Sequence, residues 1–135
     1  MLVWPTKSFI YTLYVGIINM DDLLENIKTI LNSADLVYDK KDFTSATILY
    51  FKAIFTALDY LILKSEGKTP KDHSERFSIL KESFPDLYEF LDKYFDTYRN
   101  TYSTKIDKET CDEVKKNVKD IIKKYKIPAW NKWIL

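Results

Sequence analysis

Ala46-Thr47-Ile48-Leu49-Tyr50-Phe51-Lys52-Ala53-Ile54-Phe55-Thr56-Ala57-Leu58-Asp59-Tyr60-Leu61-Ile62-Leu63 is apolar at fourteen of its eighteen positions. Three of the four exceptions, Lys52, Thr56 and Asp59, recur at steps of four and three, so they form one narrow polar stripe on an otherwise apolar cylinder. The pattern predicts a central helix that starts near Asp42 or Thr44 and runs to Lys64. Its stripe is either the solvent edge of that helix or the wall of a cleft.

The surrounding sequence supports an all-α chain. Only two glycines and four prolines interrupt 135 residues, too few for the frequent tight turns of a multi-stranded sheet. With 46% hydrophobic and 16% aromatic residues the length suits one domain with a real core. Upstream, Leu23, Leu24, Ile27, Ile30, Leu31, Ala34, Val37 and Tyr38 predict a first helix from Asp21 or Asp22 to about Lys40. Acidic residues at its start and Lys40-Lys41 at its end match the helix dipole. Downstream, Gly67 stands where a helix C-terminus wants glycine, and Thr69-Pro70-Lys71-Asp72 reads as the cap and first turn of a short helix carrying Phe77, Leu80 and Phe84. A fourth helix from Pro85 to about Tyr102 carries an aromatic seam of Tyr94, Phe95, Tyr98 and Tyr102. A fifth begins at an Asp107 cap, with Ile106 and Cys111 spaced as a hydrophobic staple, and ends before Pro128. The architecture expected is an up-and-down helical bundle of four long helices plus one short helix.

Three regions follow: an N-terminal arm over residues 1–20, the bundle over 21–127, and an apolar C-terminal tail over 128–135 packed on the body or on a partner. The apolar run from Phe9 to Ile18 falls short of the ~20 residues that span a bilayer. Its β-branched and aromatic residues read as an extended arm or strand. A lone cysteine, Cys111, and a lone histidine, His73, exclude an intrachain disulfide and leave too few soft ligands for structural zinc. No cofactor, metal or membrane is expected, and a reducing cytoplasm fits. The formal net charge of +1 gives no global pull on nucleic acid, so any such attraction must be local. Helix five carries many lysines in its C-terminal half, a pattern that dipole matching and a solvated face explain.

One local candidate is Arg99-Asn100-Thr101-Tyr102. Arg99 stands three residues after Asp96, so a surface ion pair worth about 0.3–0.5 kcal/mol is one account of it. The other is ligand binding: a guanidinium grips phosphate with parallel hydrogen bonds, an amide reads a hydroxyl or base edge, and a phenol stacks or donates. Asp59 is a candidate to pair with Arg99 across the bundle and hold it, and Lys52 lies on the same stripe as Asp59. His73, in the first turn of the short helix, is the one side chain whose unperturbed pKa of ~6.5 suits proton transfer at neutral pH. It serves equally as a neutral neighbour of the helix dipole.

The order of parts resembles the HEPN domain (higher eukaryotes and prokaryotes nucleotide-binding), especially its small single-domain prokaryotic members. The resemblance rests on Tyr50-Phe51-Lys52-Ala53 through Leu63, the loop Gly67-Lys68-Thr69-Pro70, His73-Ser74 opening a short helix, and Arg99-Asn100 near the end of the fourth. It implies a homodimeric bundle associated with RNA cleavage or with a separate small nucleotidyltransferase, in the manner of a toxin-antitoxin pair. The family's ribonuclease motif follows its arginine, after four to six residues, with a histidine. Arg99 and Asn100 match the first part, whereas Thr104, Lys105 and Ile106 stand where the histidine belongs. The reading is therefore a nucleotide- or RNA-binding module with a degenerate ribonuclease motif, Arg99, Asn100, Tyr102, Asp59 and Lys52 lining the ligand. The alternatives are a metal-independent endoribonuclease that uses Arg99 with His73, and a structural dimeric adaptor.

Overall fold

A computed structural model describes the backbone of residues 7–129 and the side chains of residues 19–129. The described residues form five helices and no strand: α1 (Lys7–Asp39), α2 (Phe43–Glu66), α3 (His73–Ser83), α4 (Pro85–Asn100) and α5 (Lys108–Lys124). The central position expected of the second helix holds, since among the described residues the backbone of α2 comes within 8 Å, Cα to Cα, of all four other helices, whereas that of α1 comes so close to α2 alone. By length and composition alone α2 could cross a membrane, but 72% of its most apolar window is buried inside the bundle. Here the apolar character is spent on the core. Tyr50, Phe51, Ile54, Leu58 and Ile62 of α2 are fully enclosed, together with Ile27 and Leu31 of α1, Leu80 of α3, Leu91 of α4 and Ile122 of α5.

Local signals explain most helix ends. Asp42 caps α2 by accepting from the Ser45 amide at 3.1 Å, and Asp107 caps α5 by accepting from the Thr110 amide at 2.8 Å. Gly67 closes α2 in the left-handed region at φ 78°, its N–H bonded to the Leu63 carbonyl at 2.9 Å. Two expectations need correction. The short helix starts at His73, not near Thr69, because the Asp72 carboxylate takes the Glu75 amide at 2.9 Å and makes Asp72 the cap. Residues 7–20, expected to be extended, belong to α1, a helix of 33 residues. Nothing between Lys7 and Asp39 breaks a helix except Gly16, which a helix tolerates at about 1 kcal/mol, and β-branched content is a weak guide where context decides. Asp21 and Asp22 consequently sit inside α1 and not at its positive end. The proposed tail lies outside the described residues from position 130 on, while Ala129 is buried.

A polar seam ties α1 and α2 to α5. The Tyr50 hydroxyl donates to Asp35 at 2.6 Å and the Tyr38 hydroxyl to Asp112, whose other oxygen holds Lys108 at 2.8 Å. Lys115 lies 4.3 Å over the Tyr38 ring and 3.9 Å from Asp35. Beneath them Cys111 is fully buried, as expected of a small hydrophobe, and burial pushes its thiol pKa up.

Candidate functional site

The Asp72 cap puts His73 in the first turn of α3 and Arg76 one turn on, both towards α2. Arg76 there meets Asp59 of the polar stripe, giving Nε to Oδ1 at 2.7 Å and a terminal nitrogen to Oδ2 at 2.9 Å. This parallel two-bond fork is the strong form of a carboxylate–guanidinium pair. Its side chains are only 10% and 18% exposed. The other terminal nitrogen of Arg76 lies 2.6 Å from His73 Nδ1, and the guanidinium carbon sits 5.2 Å over the Phe55 ring. Asp59 was expected to reach for Arg99; it is engaged by Arg76 instead.

His73 is wedged among rings, with centroids 4.9 Å from Phe55, 5.4 Å from Phe95 and 5.6 Å from Tyr98. Burial, and after it the positive Arg76, hold the imidazole pKa below its ordinary value, against smaller upward pulls from Asp59 and Asp72. A guanidinium only donates, so Nδ1 must accept and the proton of the neutral ring sits on Nε2. In this arrangement His73 offers a donor and has no free basic nitrogen.

The fourth helix supplies the other half of the region. Phe95 and Tyr98 face His73, and Tyr98 also packs edge-on to Phe55 at 4.8 Å. The Tyr98 hydroxyl stands 2.9 Å from that of Tyr102, whose ring meets it at 5.7 Å and 83°. Tyr98 is thereby a partition, its one side against His73 and its other against Tyr102. Side-chain hydroxyls finish the helix: Thr101 donates to the Tyr98 carbonyl at 2.6 Å and Thr104 to the Asn100 carbonyl at 2.8 Å, which satisfies two of the terminal carbonyls of α4.

The candidates therefore fall into two groups. Asp59 and His73 converge, through Arg76. Arg99, Asn100 and Tyr102 stand together outside, on the exposed end of α4. The Arg99 side chain is 70% exposed and its ion pair with Asp96 is loose, at 3.9 Å, while Tyr102 is 77% exposed. Lys52 is exposed on α2 and forms no ion pair among the described residues. No group of three or more metal-binding side chains occurs among the described residues. Arg76 was missed from the sequence. The signal was there: with His73, Phe77, Leu80 and Phe84 it falls at three- and four-residue steps, a charge on a face that is otherwise apolar.

Comparisons of the chain with family models, with curated proteins and with solved structures return no match in any of the three.

Proposed function

We propose that this chain is a nucleotide- or RNA-binding module of HEPN type, an up-and-down bundle acting as a cytoplasmic homodimer beside a separate minimal nucleotidyltransferase. The observation that carries the binding role is the pairing of a solvent-facing guanidinium with a solvent-facing ring. Arg99 is restrained by one weak contact to Asp96, so a phosphate displaces little when it binds. Tyr102 presents a face to solvent while its hydroxyl contact to Tyr98 limits its freedom, which lowers the entropy lost when a base stacks on it. Asn100 beside them adds an amide for a hydroxyl or a base edge.

Binding is favoured over catalysis by the state of His73, whose Nδ1 accepts from Arg76 and whose Nε2 then carries the proton. Arg76 and Asp59 act as its structural support. Fluorescence anisotropy with a labelled single-stranded RNA oligonucleotide tests the reading. Arg99→Ala should weaken binding about tenfold and lower the salt slope by about one, and Tyr102→Ala should cost about 1–3 kcal/mol, with Tyr102→Phe retaining most of the affinity. Unchanged affinity in a folded Arg99→Ala protein would sink it.

A further inference from the structure

Tyr98 touches two groups that lie apart in the fold. On one side its ring is 5.6 Å from that of His73, and on the other it meets the exposed Tyr102 ring at 5.7 Å, the two hydroxyls 2.9 Å apart. Phe51 and Phe55 of α2 close a third side at 5.5 and 4.8 Å. A ring enclosed in this way keeps its place while its neighbours keep theirs.

The neighbour that can change is His73. The charged and titratable groups that face it are Asp59 of α2, Arg76 of α3 with the capping Asp72, and Tyr98 of α4. As a neutral ring it accepts from Arg76 through Nδ1 at 2.6 Å. A proton taken from water by Nδ1 removes that acceptor and sets two cations against each other. Arg76 is the anchored member: two of its nitrogens are held by the two oxygens of Asp59, and its guanidinium already lies 5.2 Å over the Phe55 ring. The imidazolium is therefore the one that turns out to water, and the face of Tyr98 that it covered is opened.

We propose that His73 is a proton-operated regulator of the Arg99–Tyr102 site, with Tyr98 as the relay. The regulation presupposes the ligand-binding role of Arg99, Asn100 and Tyr102. When His73 is neutral, Tyr98 is wedged and its hydroxyl restrains Tyr102, so a base stacks on a ring already in place. When His73 is charged, Tyr98 is released, Tyr102 gains freedom, and stacking costs more entropy. The added positive charge pulls a phosphate the other way, but two ring contacts of 5.6 and 5.7 Å lie between His73 and Tyr102, comparable with the screening length of about 8 Å at physiological salt. Loosening of the ring contact therefore outweighs attraction. His73 is a positioning residue here and touches no ligand.

The test has a ligand-free arm and a ligand arm, both on the full chain. His73 is the only histidine, so its own ring resonances locate its midpoint. In proton NMR the Tyr102 ring signals should move with that midpoint in the parent and stay still through the same pH range in His73→Phe. Tyr98→Phe, which keeps the wedge and removes the hydroxyl link, should preserve the His73 titration and weaken the Tyr102 response. The ligand is labelled oligouridylate, whose bases and phosphodiesters do not titrate near neutrality, and anisotropy reads its affinity. As pH falls through the His73 midpoint, with helix content unchanged by circular dichroism, affinity should drop about threefold, the worth of one aromatic contact, and His73→Phe should bind independently of pH. Linkage requires the converse: saturating oligouridylate should lower the His73 midpoint by about half a pH unit. Tyr102 signals indifferent to His73, an undiminished Tyr102 response in Tyr98→Phe, an affinity that rises on acidification, or the parent's pH dependence persisting in His73→Phe would each overturn the relay. Absence of oligouridylate binding at every pH would remove the site and its regulation together, whereas binding that ignores the His73 midpoint would overturn the regulation alone.

Discussion

Arg76 holds both oxygens of Asp59, at 2.7 and 2.9 Å, across the gap between α3 and α2. Each charge is largely removed from water, so the stability of the pair depends on both members being present. Arg76→Leu alone should destabilise the fold by about 3 kcal/mol, because it strands the Asp59 carboxylate beside Phe55. The double replacement Asp59→Leu with Arg76→Leu should cost far less, about 1 kcal/mol or nothing. Urea unfolding of the two single variants and the double variant measures the difference; additive losses would refute the coupling.

The same fork makes stability depend on pH through His73. Its folded pKa lies below its ordinary value, so between the two values the unfolded chain binds more protons than the folded one. The His73 contribution is therefore complete above about pH 6.5, the unfolded value, and is lost as pH falls through the folded pKa. Since His73 is the only histidine, the fall in midpoint from pH 7.5 to 5.5 should be shallower in His73→Phe than in the parent. A NMR titration placing the His73 pKa at or above 6.5 would contradict the geometry.

Lys41 joins α1 to α2 at φ 64°, in the left-handed region, with its N–H bonded to the Tyr38 carbonyl at 2.8 Å. A side chain there crowds the following carbonyl, at about 1 kcal/mol, whereas glycine does not. Lys41→Gly should stabilise the protein by several tenths to about 1 kcal/mol, part of the gain being offset by the freer unfolded chain. Thermal melts decide this, and a lower midpoint would show that the Lys41 side chain contributes something the backbone argument omits.

How much of this was legible depends on the range over which each feature is determined. The central helix was, because fourteen apolar residues between Ala46 and Leu63 leave one burial pattern open to it. The cap at Asp107 and the stop at Gly67 were, because each acts within four residues, while the start of α2 was read only as near Asp42 or Thr44. The Asp59–Arg76 fork was not: its members are seventeen residues apart on different helices, and the pairing depends on how α3 docks. Arg76 could have been suspected as a charge on an apolar face, but several acidic partners stood open to it. The helix over residues 7–20 was missed because a short run rich in isoleucine, valine and tyrosine reads as strand or helix with equal ease. Of the site, the grouping of Arg99, Asn100 and Tyr102 follows from helical spacing, and the separation of that group from Asp59 and His73 does not.

Tyr50 is the buried end of the seam between α1, α2 and α5, and it predicts how that seam fails. Its ring is fully enclosed and its hydroxyl donates to Asp35 at 2.6 Å. Burial first, and the neighbouring carboxylate second, push the phenol pKa far up. Replacing it with phenylalanine keeps the ring and deprives Asp35 of a charge-assisted bond, worth about 1.5–3 kcal/mol. Lys115 at 3.9 Å from Asp35 remains to hold the carboxylate, so the loss should fall at the lower end of that range. Cys111, fully buried, provides a local reading of the same event. Its thiol should react with a disulfide reagent only as fast as the bundle opens, and Tyr50→Phe should accelerate that labelling about tenfold, in proportion to the stability lost. Rapid labelling in the parent protein, or a Tyr50→Phe variant as stable as the parent, would mean that the seam does not hold α5 against the hairpin of α1 and α2.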